Sequence, residues 1–395
     1  MADEVPFETL FSEPLRNGVS YPSKQRGFGF PMINMREIFA YDKIGDQECE
    51  LVPLTNTESA QFILEDGDLL FARQSLTYEG AGKCSLVLPS VARRTWDSHI
   101  MRARLDHEKA VPAYYYYYFR SPEGRRNIET IVQQVAAAGI RGSDLRRLLV
   151  PVPSTAEQSA IAQVLSALDD KIAANHTLCR LVDQLLMAKF GRLAAERDQA
   201  MFGEIGAVNS TSVKPRPGGV LRYIDIASVA QGEYEFPSES SWDDAPGRAR
   251  RGVKRGDTVW STVRPNRRSH ALVLDDDPLL VASTGLAVLT PREGRTAGLY
   301  EATRTDQFVG YLESVAEGSA YPAVRADKFG TAPIPALSAE EWDHFEEIAL
   351  PHRQRAHAAS VENRALAALR DALLPLLMLG KVRVREAEKF VKGVV

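Results

Sequence analysis

The chain has 395 residues, which is too long for one ordinary domain and predicts two or three. A hydrophobic fraction of 44% and a charged fraction of 25% are typical of folded water-soluble proteins, and no apolar run approaches the ~20 residues that a membrane-spanning helix needs. The net charge of −4 neither favours nor excludes a nucleic-acid partner, because a local basic face can coexist with an acidic remainder. The acidic N-terminus is unlike a signal peptide, so we expect a cytoplasmic protein without membrane contact.

Motifs that would carry catalysis or bind a metal are absent from the sequence. The three cysteines, Cys49, Cys84 and Cys179, are not spaced as metal ligands or as a disulfide framework. There is no phosphate-binding loop, no dinucleotide fingerprint and no hydrolase nucleophile motif. We therefore predict no metal site, no bound cofactor and no catalytic residue in this chain, which favours a binding protein over an enzyme.

Residues 1–153 predict a first globular domain in which short strands and helices alternate. A turn at Gly67 precedes a strand at Leu69-Leu70-Phe71. A run of five tyrosines, Tyr114 to Tyr118, is followed by a predicted helix from about Asn127 to Ala138. Because the rings of such a run must point in several directions, we expect most of them in the core; stacking on bases is the alternative.

Residues 154–199 predict a long helix that begins at a well-marked cap. Ser154 and Glu157 have the spacing of a capping box, in which each side chain satisfies an exposed backbone amide. Apolar residues then recur in steps of three and four, the spacing of a coiled coil. The positions expected at its partner interface are Ile161, Leu165, Leu168, Ile172, Asn175 and Leu186. Asn175 is the polar member of this set, and we expect it to fix the register of the helix.

The landmarks of residues 1–199 recur in the same order later in the chain, which predicts a second globular domain over residues 200–335. Asp66-Gly67-Asp68 recurs as Arg255-Gly256-Asp257, and Phe119-Arg120-Ser121 as Thr303-Arg304-Thr305. The interval between each landmark and its recurrence is far longer than the ~20–50 residues of a solenoid unit, so it indicates duplication of a whole domain.

Residues 336–395 predict a second long helix with its own capping box at Ser338 and Glu341. Its expected interface positions are Leu366, Leu369 and Leu373. Pro351 is expected to kink or break it. Two amphipathic helices bury their apolar faces most readily against each other, so the predicted fold is α+β: two duplicated globular α/β domains separated by two long helices that form an antiparallel coiled coil.

Local basic segments point to nucleic acid. A predicted strand that ends near Thr262 is followed by Arg264-Pro265-Asn266-Arg267-Arg268, which offers donors for guanine and an amide for adenine. The equivalent place in the first domain offers Arg73, Gln74 and Ser75. The remaining candidates for DNA contact are Lys83, Arg250 and Arg251, and further basic residues suited to phosphates are Arg93, Arg94, Arg102, Arg104, Arg125, Arg126, Arg248, Lys254 and Arg255. Taken singly, such charge clusters more often mark solvated surface.

With these features in place, the sequence resembles the specificity subunits of type I restriction–modification systems. The resemblance is carried by the proline-flanked entry at Pro151 and Pro153, by Glu157-Gln158, and by Leu165-x-x-Leu168-Asp169-x-x-Ile172-x-x-Asn175. Leu373-Leu374-Pro375-Leu376-Leu377 is similar to the end of that family's C-terminal helix. The second helix departs from the pattern, because Glu340-Glu341 stands where the family has Glu-Gln.

The resemblance implies that each globular domain is a target recognition domain reading one half of a bipartite site in double-stranded DNA. The two helices would set the spacer and dock two methyltransferase (modification) subunits, which bring S-adenosylmethionine. Restriction subunits would add ATP- and Mg-dependent translocation and cleavage. The chain itself would be a non-catalytic subunit of a type I site-specific deoxyribonuclease and adenine-N6 methyltransferase complex.

Two other interpretations remain open at the level of sequence. The first is a scaffold without DNA, in which two interaction domains are spaced by a coiled coil; it predicts no salt-dependent affinity for DNA. The second is an enzyme with an unrecognised site, although no acid, base or nucleophile constellation is visible.

Overall fold

The structure is a computed structural model that describes residues 3–134, 137–292 and 294–393. It divides into two compact units: unit 1 comprises Met1–Ala173 and Asn363–Val395, and unit 2 comprises Ala174–Glu362. Each unit therefore contains one globular part together with a portion of both long helices. Within the described residues, no helix is sufficiently long and apolar to cross a membrane.

Unit 1 is built from short strands and five short helices that precede the first long helix. Its strands are β1 (Asp3–Pro6), β2 (Phe11–Asn17), β3 (Phe30–Ile33), β4 (Lys43–Ile44), β5 (Glu50–Val52), β6 (Leu69–Ala72), β7 (Gln74–Ser75), β8 (Cys84–Val87), β9 (Thr95–Trp96), β10 (Ile100–Leu105), β11 (Gln133–Gln134), β12 (Ala138–Gly139) and β13 (Leu149–Val152). Its helices are α1 (Met35–Ala40), α2 (Asn56–Gln61), α3 (Pro112–Arg120), α4 (Pro122–Glu129) and α5 (Gly142–Arg147), followed by α6 (Thr155–Ala194), which ends in unit 2.

Unit 2 has a similar set of elements. Its strands are β14 (Gln199–Met201), β15 (Gly206–Val208), β16 (Val220–Ile224), β17 (Glu239–Ser241), β18 (Ala249–Gly252), β19 (Thr258–Ser261), β20 (His270–Leu272), β21 (Leu280–Ser283), β22 (Leu286–Pro291) and β23 (Pro333–Pro335). Its helices are α7 (Phe202–Ile205), α8 (Thr296–Ala302), α9 (Asp306–Ser314), α10 (Ala326–Gly330) and α11 (Ala339–Met378), and the chain continues in unit 1 with α12 (Val384–Lys392).

The two units share one strand topology. The strand order β2-β10-β6-β8 in unit 1 corresponds to β15-β22-β19-β20 in unit 2, and all of these pairs are antiparallel. In a second sheet, β3 pairs antiparallel with β5 and parallel with β9, just as β16 pairs with β17 and β21. The predicted duplication of an α/β domain is thereby confirmed.

The turn before the central strand is the same in both units. Gly67 and Gly256 have φ angles of 85° and 95°, in the left-handed region that favours glycine. The Oδ2 atom of Asp68 accepts a hydrogen bond of 2.8 Å from the backbone N–H of Glu65, and Asp257 accepts one of 2.9 Å from Lys254. The recurring Gly-Asp pair therefore encodes a specific turn, and this is why it was visible in the sequence.

The tyrosine run forms most of α3, and all five rings are buried with at most 3% exposure. One side of α3 packs against β8. On another side, the hydroxyl of Tyr117 donates to Asp169 of α6 at 2.7 Å, and that of Tyr115 donates to the carbonyl of Pro151 at 3.0 Å. The helix is thus covered on several faces, so the prediction that these rings belong to the core is confirmed and the stacking alternative is wrong.

The long helices pair within each unit, and the pairing is antiparallel. In unit 1, the predicted interface positions Ile161, Leu165, Leu168, Leu366 and Leu373 all belong to one hydrophobic core, with Ile172 and Leu369 packed against it. In unit 2, Asn175 Nδ2 donates to Glu362 at 2.7 Å, and Cys179 Sγ contacts the carbonyl of Ala356 at 3.2 Å. As the residue number rises along α6, its partner's number falls along α11. The predicted antiparallel helix pair is therefore confirmed, and Leu186 is fully buried in the unit 2 core.

The expected break at Pro351 is wrong, because α11 runs without interruption from Ala339 to Met378. A proline inside a helix removes one backbone donor and crowds the carbonyl one turn earlier, here that of Glu347. Both Pro351 and Glu347 are exposed, so water can bond the displaced carbonyl. The opposite face of the same turn is buried, with Phe345 and Ala349 in the unit 2 core. That packing holds the helix together across the proline.

An ion cluster fastens the two helices to the globular part of unit 2. Asp183 of α6 accepts hydrogen bonds from Arg304 at 2.7 Å and from Arg353 of α11 at 2.8 Å. Glu301 of α8 accepts one from Arg304 and one from Arg353, both at 3.0 Å. The ring of Tyr300 lies under both guanidinium groups, 4.9 and 4.8 Å from their carbon atoms. Helices α6, α8 and α11 are therefore linked by ion pairs in which each carboxylate lies between two guanidinium groups.

The carboxylates on α6 make stability depend on pH. Burial opposes ionisation of Asp183, but hydrogen bonds from Arg304 and Arg353 outweigh it and lower its pKa. In unit 1, Lys43, Tyr117 and Arg370 lower the pKa of Asp169 in the same way against burial. Groups with a lowered folded-state pKa stabilise the protein above their unfolded pKa of about 3.9, and this contribution is lost as the pH falls through the lower folded value.

We therefore expect the free energy of unfolding to fall from about pH 5 to about pH 2, and to fall less steeply when Asp169 and Asp183 are both replaced by asparagine. Urea unfolding across that range measures both slopes. Equal slopes for the two proteins would mean that these carboxylates do not carry the acid sensitivity.

Candidate nucleic-acid interface

In each unit a loop follows one strand of the main sheet, β6 in unit 1 and β19 in unit 2. This loop pairs with a hairpin that follows α4 in unit 1 and α9 in unit 2. Loop 1 is residues 73–83 after β6, and hairpin 1 is the antiparallel pair of β11 (Gln133–Gln134) and β12 (Ala138–Gly139). Gln74 and Ser75 of loop 1 pair with Gly139 and Ala138 of hairpin 1. Loop 2 is residues 262–269 after β19, and hairpin 2 is residues 317–323. Val263 of loop 2 bridges Ala323 of hairpin 2. The structure thus brings the two groups of predicted DNA-contacting residues to equivalent positions.

Hairpin 1 corrects one sequence prediction. A helix was expected to continue to Ala138, but α4 ends at Glu129 and β11 and β12 follow; residues 135–136 of that span lie outside the described part of the chain. Alanines favour helix by intrinsic propensity. Here the hydrogen bonds between β12 and β7 outweigh that preference, because tertiary pairing routinely overrides a weak local one.

Loop 1 leaves two of its four predicted residues open to solvent. Arg73 and Gln74 are exposed, and within the described residues no hydrogen bond or ion pair engages either side chain. The backbone beneath them is fixed, because the N–H of Arg73 donates to the carbonyl of His99 at 2.9 Å and its carbonyl accepts from Ile140 at 3.0 Å. Ser75 is half-buried and accepts from the N–H of Thr77. Lys83 is engaged, with Nζ 3.3 Å from Asp42 and 3.0 Å from the carbonyl of Phe39.

Loop 2 contains two residues in a left-handed conformation that is rare for side chains other than glycine. Arg264 and Arg268 have φ angles of 53° and 52°, and they flank a short 3₁₀ turn, Pro265–Arg267. Non-glycine residues in this region are strained and persist where the surroundings fix them. The N–H of Arg264 donates to the carbonyl of Pro322 in hairpin 2 at 2.7 Å, and that of Arg268 donates to Pro265 at 2.9 Å.

Solvent access divides the polar residues of loop 2. Asn266 and Arg267 are exposed, whereas Arg264 and Arg268 are half-buried. The guanidinium carbon of Arg264 lies 4.5 Å from the centre of the Tyr321 ring. Arg268 forms an ion pair of 2.5 Å with Asp306.

Arg250 and Arg251 lie apart from loop 2 along the fold. Both belong to β18, which pairs with β21 in the second sheet of unit 2. Both are half-buried, and Arg250 Nη1 donates to the carbonyl of Ala249 at 2.7 Å. The structure therefore does not add them to the loop and hairpin surface.

Several arginines of unit 1 that were expected to contact phosphates are structural instead. Arg102 is 1% exposed and donates to Glu13 at 2.9 Å. Arg104 bonds both carboxylate oxygens of Asp68, at 2.8 and 2.9 Å. Arg94 is buried and donates to the carbonyl of Ile44. The phosphate role predicted for these three is wrong, since Arg94 and Arg102 are buried, and Arg104 is largely covered and already bonded to Asp68 and Glu13.

The structure adds residues that sequence reasoning missed. Tyr321 is 69% exposed at the tip of hairpin 2, and Gln133 and Gln134 are exposed on hairpin 1. Tyr321 follows Gly318, whose φ of 97° marks a turn. A turn signal beside an aromatic residue was the available clue. Among the described residues, no three His, Cys, Asp or Glu side chains are grouped so that they could hold a metal ion.

Comparison with known proteins shows which proteins this chain resembles. Residues 23–182 match the family model of the type I restriction modification DNA specificity domain. The chain is 29% identical over 201 residues to the EcoKI specificity subunit of Escherichia coli K12, a match that covers 48% of this chain and 43% of that protein. It is 20% identical over 409 residues to a putative type I restriction enzyme specificity subunit, MjaX, of Methanocaldococcus jannaschii, covering 94% of this chain and 92% of that one. This chain therefore aligns with less than half the length of the EcoKI subunit.

The fold also has a solved counterpart. The S subunit of a type I restriction–modification system from M. genitalium superposes with a TM-score of 0.61 at 17% identity, covering 95% of this chain and 96% of that chain. At this level of identity the likeness concerns the fold, and it agrees with the duplicated domains and paired helices described above. Residues 23–182 therefore match a type I restriction modification DNA specificity domain, and the chain is similar to specificity subunits of type I restriction–modification systems.

Proposed function

We propose that this chain selects the DNA sequence for a type I restriction–modification complex, with each unit reading one half of a bipartite duplex target. The observation that carries the proposal is the loop and hairpin surface that occurs once in each unit. Loop 1 offers Arg73 and Gln74 there, and loop 2 offers Arg264 and Asn266, with Arg267 beside them for contact with a phosphate. Arginine and carboxamide side chains are those that read guanine and adenine edges in the major groove.

Duplicated surfaces with different side chains suit a target of two unlike halves. The equivalent backbone positions would place each loop on DNA in a similar way, while the side chains choose the bases. Strand-held loops also suit recognition, because a rigid scaffold fixes the direction of each donor. The paired helices α6 and α11 would set the number of unread base pairs between the halves.

The proposal includes partner subunits that carry the chemistry. Two modification subunits would dock on the long helices and the domains and would bring S-adenosylmethionine, and restriction subunits would bring ATP- and Mg-dependent activity. This chain would contribute no catalytic residue and would act in the cytoplasm. Docking on α6 is supported by Leu181 and Leu185, which are 52% and 43% exposed and lie four residues apart on one face of that helix.

Binding of the assembled complex to a DNA duplex tests the proposal. The affinity should fall steeply with salt, because neutralised phosphates release counterions. Replacing Arg267 with alanine should weaken binding to all sequences alike and reduce the salt slope by about 1, since this side chain would contact a phosphate.

The matched control is Arg147→Ala. Arg147 is an exposed arginine at the end of α5 that already pairs with Asp144 at 3.0 Å, so its loss should leave the salt slope unchanged. A complex whose DNA affinity does not depend on salt would favour the scaffold interpretation instead.

A further inference from the structure

We infer that Arg264 is the base-reading arginine of loop 2 and that the base it reads is a guanine in the half-site of unit 2; this rests on the proposed function. Loop 2 contains three arginines, Arg264, Arg267 and Arg268. Their partners in the structure differ, and the differences assign them three separate tasks.

Arg268 holds the loop in shape. Its guanidinium is paired with Asp306 at the start of α9, at 2.5 Å. Its carbonyl accepts a hydrogen bond of 2.6 Å from Nδ1 of His270. Burial lowers the pKa of His270 to about 3, so the ring is neutral and can keep its Nδ1–H on this carbonyl at physiological pH. A guanidinium already neutralised by a carboxylate has little left to offer a base or a phosphate.

Arg267, unlike Arg268, has a side chain that is not held by any partner within the described residues. Its side chain is exposed, and across the described residues nothing bonds to it or pairs with it. A long, unheld cation adapts to the position of a phosphate, but it cannot impose the fixed geometry that discriminates one base from another. Its contribution is therefore to affinity for any sequence.

Arg264 combines a fixed position with an uncompensated charge. Its backbone is held in the left-handed region by the 2.7 Å bond to Pro322, and its guanidinium carbon lies over the Tyr321 ring, 4.5 Å from the ring centre. A bond of 3.4 Å from Nη2 to the carbonyl of Ala320 adds a weak further restraint. Within the described residues, no carboxylate forms an ion pair with it. These contacts restrain the guanidinium while leaving most of its donors unused.

The fixed donor pair matches guanine best. Two parallel N–H groups of a guanidinium meet the O6 and N7 acceptors of guanine together, whereas adenine presents a donor beside N7 and cytosine a lone donor. Tyr321 is 69% exposed, so the stacked pair stands on the surface of hairpin 2 and is accessible to a duplex. Loop 1 has no equivalent, because no aromatic ring stacks on Arg73 among the described residues. The two half-sites should accordingly differ in chemistry.

Mapping methylated adenines genome-wide tests the inference, in a host that expresses the chain with its modification subunit. The motif of the unaltered protein should contain an invariant guanine whose requirement is relaxed by Arg264→Ala, with a loss of discrimination of roughly 10- to 100-fold at that position alone. Arg264→Lys should relax the same position, because lysine keeps the charge but cannot form the bidentate pair. Tyr321→Ala should relax it more weakly.

Two controls separate this inference from the function on which it rests. Arg267→Ala should lower the fraction of sites methylated without changing the motif, and replacement of the loop 1 carboxamide, Gln74→Ala, should alter only the other half-site. If the unaltered protein gives no bipartite motif, the proposed function fails. If it gives one that Arg264→Lys leaves unchanged, or if the relaxed position is not a guanine, the inference fails alone. If Arg264→Ala abolishes methylation altogether, the motif obtained with Arg264→Lys decides whether the inference stands.

Discussion

Replacing Glu301 with glutamine is expected to destabilise unit 2 by about 3–5 kcal/mol, the range for breaking a buried ion pair. Glu301 is 2% exposed and accepts hydrogen bonds from both Arg304 and Arg353. An amide would keep one acceptor oxygen but turn an NH2 group toward the other guanidinium, which can only donate, and two buried positive charges would share the carboxylate of Asp183. Tyr300 offers its ring face to both but cannot replace a carboxylate.

Urea unfolding of the whole chain measures this loss as a shift in midpoint. The matched control is Glu313→Gln on α9, where the side chain is exposed and forms no ion pair within the described residues; its effect should stay within about 0.5 kcal/mol. Equal effects of the two substitutions would show that the cluster does not fasten α8 to the helix pair.

Removing one turn from both long helices is expected to change the spacer of the recognised DNA without changing either half-site. The matched segments are residues 176–179 of α6 and 356–359 of α11, which adjoin the contact between Cys179 and Ala356. Four helical residues span ~6 Å, so the preferred spacer should shift by about one or two base pairs of ~3.4 Å. Both half-sites should remain as they were, because loops 1 and 2 are untouched.

Deleting residues 176–179 from α6 alone is the control. It would misalign the apolar positions of the two helices and separate Asn175 from Glu362, so the expected result is a destabilised protein without a defined new spacer. An unchanged spacer in the matched double deletion would remove the ruler role from the helix pair.

Features set by neighbouring residues could be predicted from the sequence. The caps at Ser154 and Ser338 accept hydrogen bonds of 3.3 and 3.2 Å from the N–H groups of Glu157 and Glu341, as the spacing of these residues indicated. The stripe of α6 and the glycine turns were visible for the same reason. A capping box or a left-handed turn needs only residues a few positions apart.

Features set by distant partners could not be predicted. Arg102 and Arg267 are alike in sequence, but only the fold reveals that Asp68 and Glu13 enclose the first while the second faces water. The same applies to hairpin 1, whose conformation is decided by pairing with β7. It also applies to Tyr321, whose role depends on its contact with Arg264. The residues on these loops depend on the partner that they bind. Local sequence patterns therefore indicate a basic surface but not which of its residues would contact DNA.

The most direct test of the proposed function is to map methylated adenines across the genome of a host that expresses this chain with a cognate modification subunit. Two units with equivalent but differently equipped loops predict one motif, made of two short and unlike specified segments separated by a fixed number of unspecified bases. Methylation at a short continuous palindrome, or at no defined sequence, would contradict the account.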